Sequence, residues 1–333
     1  MKYHTLTGLI DNKIVEKKSS RLIMGTAHLN RFECKEQRFA ILDEFIKVGG
    51  NTFDTAHQYL DSEILFGEWI AERNNRRNIL ILSKGAHPDD GEPGPRLNPS
   101  SITSDITESL MRLRTNYLDL YALHRDDESV EVGPIIETLN QHIEAGRIHA
   151  IGASNWTHKR IQEANDYAAK AGLIGFTFNS PNLSLASCNI PRWPGCVSVD
   201  RPMLNWHKGT QLPLLSWSSQ AGGFFSGRFA PDILDNEEMV RVYYSEANWE
   251  RFERARKLAK KKGASAIRIA LAYVLNQPFL TAAIIGPEKV EELVSSVEAL
   301  NIELTSTEMK WLNLEDSFIG NKASELTPNE RST

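Results

Sequence analysis

The chain has 333 residues, a formal net charge of −5 and 41% hydrophobic side chains. That content supports a large core, and the slight negative charge argues against a polyanion-binding surface and so against nucleic acid as a partner. No run of roughly 18 apolar residues occurs, so no membrane partner is expected.

The N-terminal stretch MKYHTLTGLIDNKIVEKK is too polar for a secretory signal. Residues Tyr3–Val15 contain a Gly and an Asp-Asn pair and predict a hairpin ahead of the main fold. Short apolar, β-branched or aromatic runs then recur, each reading as a buried parallel strand. They are Ser20–Thr26, Asn51–Ala56, Ile79–Lys84, Leu118–His124, His149–Asn155, Gly175–Ser180, Pro213–Ser218 and Thr281–Gly286.

Amphipathic helices separate them. Phe39, Leu42, Phe45 and Ile46 share one face, and Gly49-Gly50 ends that helix. Leu65, Trp69 and Ile70 mark a second helix. Asn98-Pro99 caps a third, whose stripe is Ile102, Ile106, Leu110 and Leu113. Pro134–Glu144, Lys159–Lys170 and Val290–Leu300 continue the alternation. Eight β/α units without a Gly-rich fingerprint after the first strand predict an α/β fold, a closed (β/α)8 barrel of one domain over residues 1–318, followed by a polar tail over 319–333. Two long connections, Gly85–Asn98 and Gly222–Asn248, are expected at the C-terminal face, where such loops build active sites. Cys34, Cys188 and Cys196 are scattered, which predicts unpaired thiols in a reducing cytoplasm and no metal-ligand spacing.

Four residues stand where successive strands end: Asp54 and Tyr59, Lys84, and His124. A free phenol titrates near about 10 and is a weak acid at neutral pH. An adjacent ammonium from Lys84 would stabilise the phenolate, and Asp54 would hold Lys84 in place. A neutral His124 would donate a hydrogen bond to a carbonyl oxygen while Tyr59 delivers the proton. The set suits addition of hydride to a carbonyl. A metal-dependent hydrolase using His57, His124 and Asp54 fits less well, because no His-x-His pair is present and Lys84 competes for Asp54.

The motifs resemble those of the aldo-keto reductase family. Gly25-Thr26 matches its first strand end, and Asp54, Thr55, Ala56 and Tyr59 match its Asp-Thr-Ala-x-x-Tyr segment, with Ser62-Glu63 and Gly67 following. Ser83-Lys84, the run Asp119, Leu120, Tyr121 and His124, and the run Ile151, Gly152, Ser154 and Asn155 complete the match. The resemblance implies an NAD(P)(H)-dependent oxidoreductase acting on a small-molecule carbonyl or alcohol, with Tyr59 as general acid, His124 orienting the carbonyl, and Lys84 and Asp54 in support. A cofactor-binding, redox-sensing subunit with little turnover is the alternative within the same fold.

For NADP(H) or NAD(H), the resemblance implies contacts at Gly25, Thr26, Ser154 and Asn155, a nicotinamide stacked on Trp217, and a pyrophosphate lined by Ser218, Gln220, Gly222 and Gly223. The family commonly has Gln on the sixth strand where this chain has Ser180. After the eighth strand, where relatives carry a basic residue for the 2′-phosphate, this chain reads Glu288 and Lys289, followed by Glu292 and Ser296. An acid there repels phosphate and accepts a bond from a free ribose hydroxyl, so both cofactors stay open. His57, Arg125, Trp156 and Trp193 are the candidate substrate contacts. Arg125 with Asp126 and Asp127 suggests a polar substrate such as a sugar or polyol.

Overall fold

In a computed structural model that describes residues 1–10, 13–59, 61–88 and 96–315, eight parallel strands close on themselves. Two antiparallel strands come first, β1 (Tyr3–Ile10) and β2 (Lys13–Ser20). The barrel follows as β3 (Leu22–Gly25), β4 (Thr52–Asp54), β5 (Leu80–Gly85), β6 (Leu120–Leu123), β7 (Ile151–Ser154), β8 (Phe178–Ser180), β9 (Leu214–Ser216) and β10 (Thr281–Ile285), with β10 pairing back to β3. All eight predicted strands are present, seven of them shorter than the apolar run and β5 shifted by one residue at the same length. The predicted 319–333 tail, the Asp-Asn turn and residues 89–95 of the first long connection lie outside the described residues.

The hairpin departs from expectation. It runs to Ser20, with Tyr3 paired to Ser20 and Ile10 to Lys13, so Ser20 belongs to the hairpin and not to the first barrel strand. The reason is a long-range tie at the N-terminal end of the barrel. Lys17 Nζ lies 2.7 Å from Asp119 Oδ1, and Arg76 holds the other oxygen at 2.9 Å. Leu9 N–H donates to His149 O at 2.6 Å. Leu6 enters the barrel floor beside Ile23, Leu82, Leu120, Ala150, Phe178, Leu215 and Ala282. The hairpin is a plug, and Asp119 is its anchor.

Between strands lie helices α1 (Lys35–Lys47), α2 (Ser62–Arg73), α3 (Pro99–Arg112), α4 (Val132–Glu144), α5 (His158–Ala171) and α6 (Arg201–Thr210). Asn98 caps α3 as predicted, its side chain accepting from Ser101 N–H at 3.0 Å. The β9–β10 connection is longer than one helix: a 3-10 segment, Ala221–Ser226, precedes α7 (Glu237–Tyr243), α8 (Glu246–Lys262) and α9 (Ala266–Leu275). Helices α10 (Val290–Ala299) and α11 (Ser306–Leu312) close the described chain. The main apolar layer packs these helices on the outer face of the strands, while a smaller cluster fills the barrel. Gly152 on β7 leaves room for the Phe178 ring; a Cβ there would strike it.

Candidate active site

The strand ends bring Asp54, Tyr59, Lys84 and His124 together at the C-terminal mouth. Lys84 is the hub. Its Nζ lies 2.5 Å from Asp54 Oδ1, donates to Thr55 O at 2.9 Å and reaches the Tyr59 hydroxyl at 3.4 Å. The Tyr59 and His124 rings meet edge to face, 5.6 Å between centroids. Lys84 is almost wholly buried, and burial opposes its charge; Asp54 and Tyr59 outweigh that and raise its pKa. Burial likewise pushes the Asp54 carboxyl up, and the ammonium opposes the push.

The phenol departs from expectation. Burial pushes the Tyr59 pKa above its ordinary value, and the downward pull of Lys84 does not overcome it. Tyr59 therefore keeps its proton at neutral pH, with the Lys84 ammonium within reach of its oxygen. Burial, then the charges of Lys84 and Arg125, holds His124 well below the usual histidine range, so its ring is neutral. Its Nδ1 is buried without a hydrogen-bond partner among the described residues.

Backbone ties fix this geometry. Thr26 N–H and Oγ1 both donate to Asp54 O, and Ser62 Oγ donates to Thr26 O at 2.7 Å. Thr26 thus braces the end of β4, and a Cβ on Gly25 before it would lie 3.1 Å from Ile285 O. Glu63, whose Oε1 accepts from Ser83 Oγ at 2.6 Å, ties α2 to β5 next to Lys84. These residues were legible as motif, but their bracing role was not.

The opposite rim carries the candidate cofactor groove. Ser154 Oγ donates to Ser180 O, and Asn155, in left-handed backbone at φ 61, donates to His124 O and Ser154 Oγ. Trp217 lies half-buried with its Nε1 lacking a partner among the described residues. Beyond it Ser218 and Ala221 have φ 48 and 51, and Gly222 and Gly223 have φ 62 and 84. Three successive left-handed residues, Ala221, Gly222 and Gly223, bend this loop sharply, with Ala221 N–H donating to Ser218 O and Gly223 N–H to Gln220 O. A Cβ on Gly223 would lie 2.7 Å from Arg228 Nη2, so the glycine lets that guanidinium lie against the loop, where it donates to Gly222 O at 2.7 Å. The unpartnered Trp217 Nε1 and the glycine turn beside it are compatible with a dinucleotide.

Several of the candidate residues are engaged by neighbours within the chain. Trp156 has no accessible surface; its Nε1 donates to Arg125 O and its ring packs on Phe176, so it supports the strand ends and offers nothing to a substrate. His57 turns to α3, Nε2 lying 3.0 Å from Glu108 Oε2, which also removes it from any metal set with Asp54. The Ser180 hydroxyl gives its proton to Leu215 O and closes the barrel, leaving no donor for a carboxamide. Ser296 Oγ is bound back to Glu292 O within α10, and Glu292 caps the Glu288 N–H. Glu288 itself meets Arg31 at 3.3 Å, and Lys289 is exposed. Asp126 turns to Arg160 and Asp127 to Ser129, so the two acids beside Arg125 do not form a polyol-binding pair at the mouth.

Arg192 and His87 emerge only from the fold. Arg192 donates to Ser218 Oγ at 2.7 Å and pairs with Glu238 at 2.8 Å, bridging the groove. Trp193, 46% exposed, lies tilted over Trp217 at 5.7 Å. His87 stacks edge-on against His124 at 4.9 Å. Their nearness in sequence to Trp193 and Lys84 was the one available signal.

Known proteins resemble this chain in sequence and in fold. The sequence profile described as Aldo/keto reductase family matches residues 21–313. The chain is 28% identical to the uncharacterized oxidoreductase YrpG of Bacillus subtilis (strain 168), covering 90% of this chain and 93% of that protein. It is 26% identical to an aryl-alcohol dehydrogenase [NADP(+)] of Phanerodontia chrysosporium, over 84% of this chain and 76% of that one. It is 28% identical to norsolorinic acid reductase B of Aspergillus parasiticus, over 83% and 74%. Among solved structures, the thermostable aldo-keto reductase Tm1743, determined with the inhibitor epalrestat, superposes with a TM-score of 0.71 at 22% identity, covering 95% of this chain and all of that one.

Proposed function

The chain belongs to the aldo/keto reductase family and is an NAD(P)-dependent oxidoreductase, and from that premise we propose that it reduces an aldehyde or ketone to an alcohol, or runs the reverse oxidation, with Tyr59 as proton donor. The observation that carries this reading is the placement of Lys84 Nζ between Asp54 and the Tyr59 hydroxyl, with the His124 ring against Tyr59.

The nicotinamide cofactor, when bound, supplies hydride to the carbonyl carbon. Every other element of the reaction comes from the chain. His124, neutral, carries one ring N–H to donate to the carbonyl oxygen. Tyr59, kept protonated by burial, gives its proton to that oxygen. Lys84 stabilises the phenolate left behind, and Asp54 fixes Lys84 so that the charge is preorganised. Trp217, Ser218 and the Gly222-Gly223 turn hold the dinucleotide.

The reading is tested by titrating tryptophan fluorescence with NADPH and with NADH, then following cofactor oxidation with a panel of aldehydes and ketones. Quenching with turnover supports it. Quenching with no oxidation by any carbonyl would remove the reductase assignment while leaving the cofactor site.

A further inference from the structure

Arg125 follows His124 at the mouth and is 8% exposed. Its Nε donates to Pro194 O at 3.1 Å and its Nη1 to His124 O at 2.8 Å. Both acceptors are neutral carbonyls. Among the described residues, Nη2 has no acceptor and no carboxylate forms an ion pair with this guanidinium. Its neighbours in sequence are committed elsewhere, Asp126 to Arg160 at 3.4 Å and Asp127 to Ser129 N–H at 3.0 Å.

The other buried or half-buried cations of this face differ. Lys84 has Asp54, Arg160 has Asp126, and Arg192 has Glu238. A guanidinium does not discharge, and a buried charge without a counter-ion is costly. The side chain is also held firmly. Gly195, at φ 68, lets the 192–195 loop lie against its stem, since a Cβ there would sit 3.1 Å from Arg125 Cδ. Its charge reaches the reacting groups, pulling down both Tyr59 and His124. A fixed cation beside the proton donor, with one amino group unspent, is built for an anion that arrives with the substrate.

We propose that Arg125 seats a carboxylate of the substrate, so that the preferred carbonyl compounds are oxo acids. This rests on the reading of Tyr59 and His124 as the carbonyl site. Hydride passes from the reduced nicotinamide to the carbonyl carbon and the Tyr59 proton to its oxygen, while the carboxylate is unchanged. The planar guanidinium favours a carboxylate, which accepts two N–H bonds at once.

The test compares matched pairs on the full chain with NADPH and with NADH: 4-oxobutanoate against butanal, and 5-oxopentanoate against pentanal. The oxo acid of at least one pair should show kcat/KM about tenfold or more above its neutral partner, mainly through KM, and the advantage should shrink with added salt. Arg125→Gln should lower kcat/KM for that oxo acid about 100-fold and for the neutral aldehyde far less, with Arg125→Lys intermediate. Should Arg125→Gln fail to fold, the wild-type ratio and its salt dependence decide. Equal activity on both members of each pair, or a preference that survives in Arg125→Gln, overturns the proposal. So does an Arg125→Gln protein whose NADPH affinity falls as much as its oxo-acid activity, which would assign the cation to the cofactor. Failure of the reductase reading looks different: none of the four aldehydes would oxidise the cofactor.

Discussion

The ammonium of Lys84 stands 3.4 Å from the hydroxyl of Tyr59. The phenol is buried and protonated, so in the proposed reaction the ammonium matters after the proton has gone. Tyr59→Phe keeps the ring and removes the proton. It should lower kcat by about 100-fold or more, the scale of general acid catalysis, with NADPH affinity within a few-fold of wild type. Single-turnover cofactor oxidation and fluorescence titration separate the two; near-normal turnover would remove Tyr59 from its role.

Removing Lys84 leaves a buried carboxylate alone. Lys84→Met should destabilise the fold by roughly 3–5 kcal/mol, and Asp54→Asn, which leaves Lys84 its bond to Thr55 O, by less. Urea midpoints check the order. If Lys84→Met were no less stable than Asp54→Asn, the pair would not be the electrostatic hub of the site.

His207 sets a pH limit on stability. It has no exposed surface; Asn179 Nδ2 lies 3.1 Å from its Nε2, and its Nδ1 lies 2.9 Å from Leu212 O. Burial lowers its pKa from 6.5 to about 4. Because the folded value is depressed, the stabilisation is complete above the unfolded value and is lost as pH falls from 6.5 toward 4. The loss attributable to His207 should approach roughly 3 kcal/mol. Stability of His207→Gln should fall less than wild type between pH 7 and 4.5. Parallel decline of the two proteins would assign the acid sensitivity to other groups.

The hairpin plug is testable apart from chemistry. Leu6 fills the barrel floor, at the opposite end from Tyr59. Leu6→Ala should cost about 2–5 kcal/mol by leaving a cavity, with kcat unchanged. A stability change under about 0.5 kcal/mol would mean that the hairpin is only an ornament of the fold.

Glu288 bears on cofactor choice. It is exposed beside Arg31, with Glu292 one turn on. If the adenosine ribose lies against this loop, as the motif resemblance implies, Glu288→Arg should raise the NADPH to NADH affinity ratio about 10-fold to 100-fold, the scale of a charge-assisted hydrogen bond gained. Fluorescence titration with both cofactors reads the ratio, and an unchanged value would detach this loop from the cofactor.

The sequence by itself determined the barrel and pointed to a candidate reactive set. Buried parallel strands are short apolar runs, and that signal is local, so all eight could be found from Leu22 to Ile285. Asp54, Tyr59, Lys84 and His124 were legible because strand ends in a closed barrel share one rim. Tertiary structure decided what these side chains touch. Lys17 meets Asp119 across 102 residues, which extended the hairpin to Ser20. Arg192 crosses to Ser218, while His57 and Trp156 turn away from the mouth to Glu108 and Phe176. The same division holds for charge. Lys84 beside Tyr59 predicts a lowered phenol pKa, but the degree of burial, a property of the whole fold, reverses the sign. Strand pattern depends on neighbours in sequence; side-chain direction and desolvation depend on neighbours in space, and those are set only when the barrel closes.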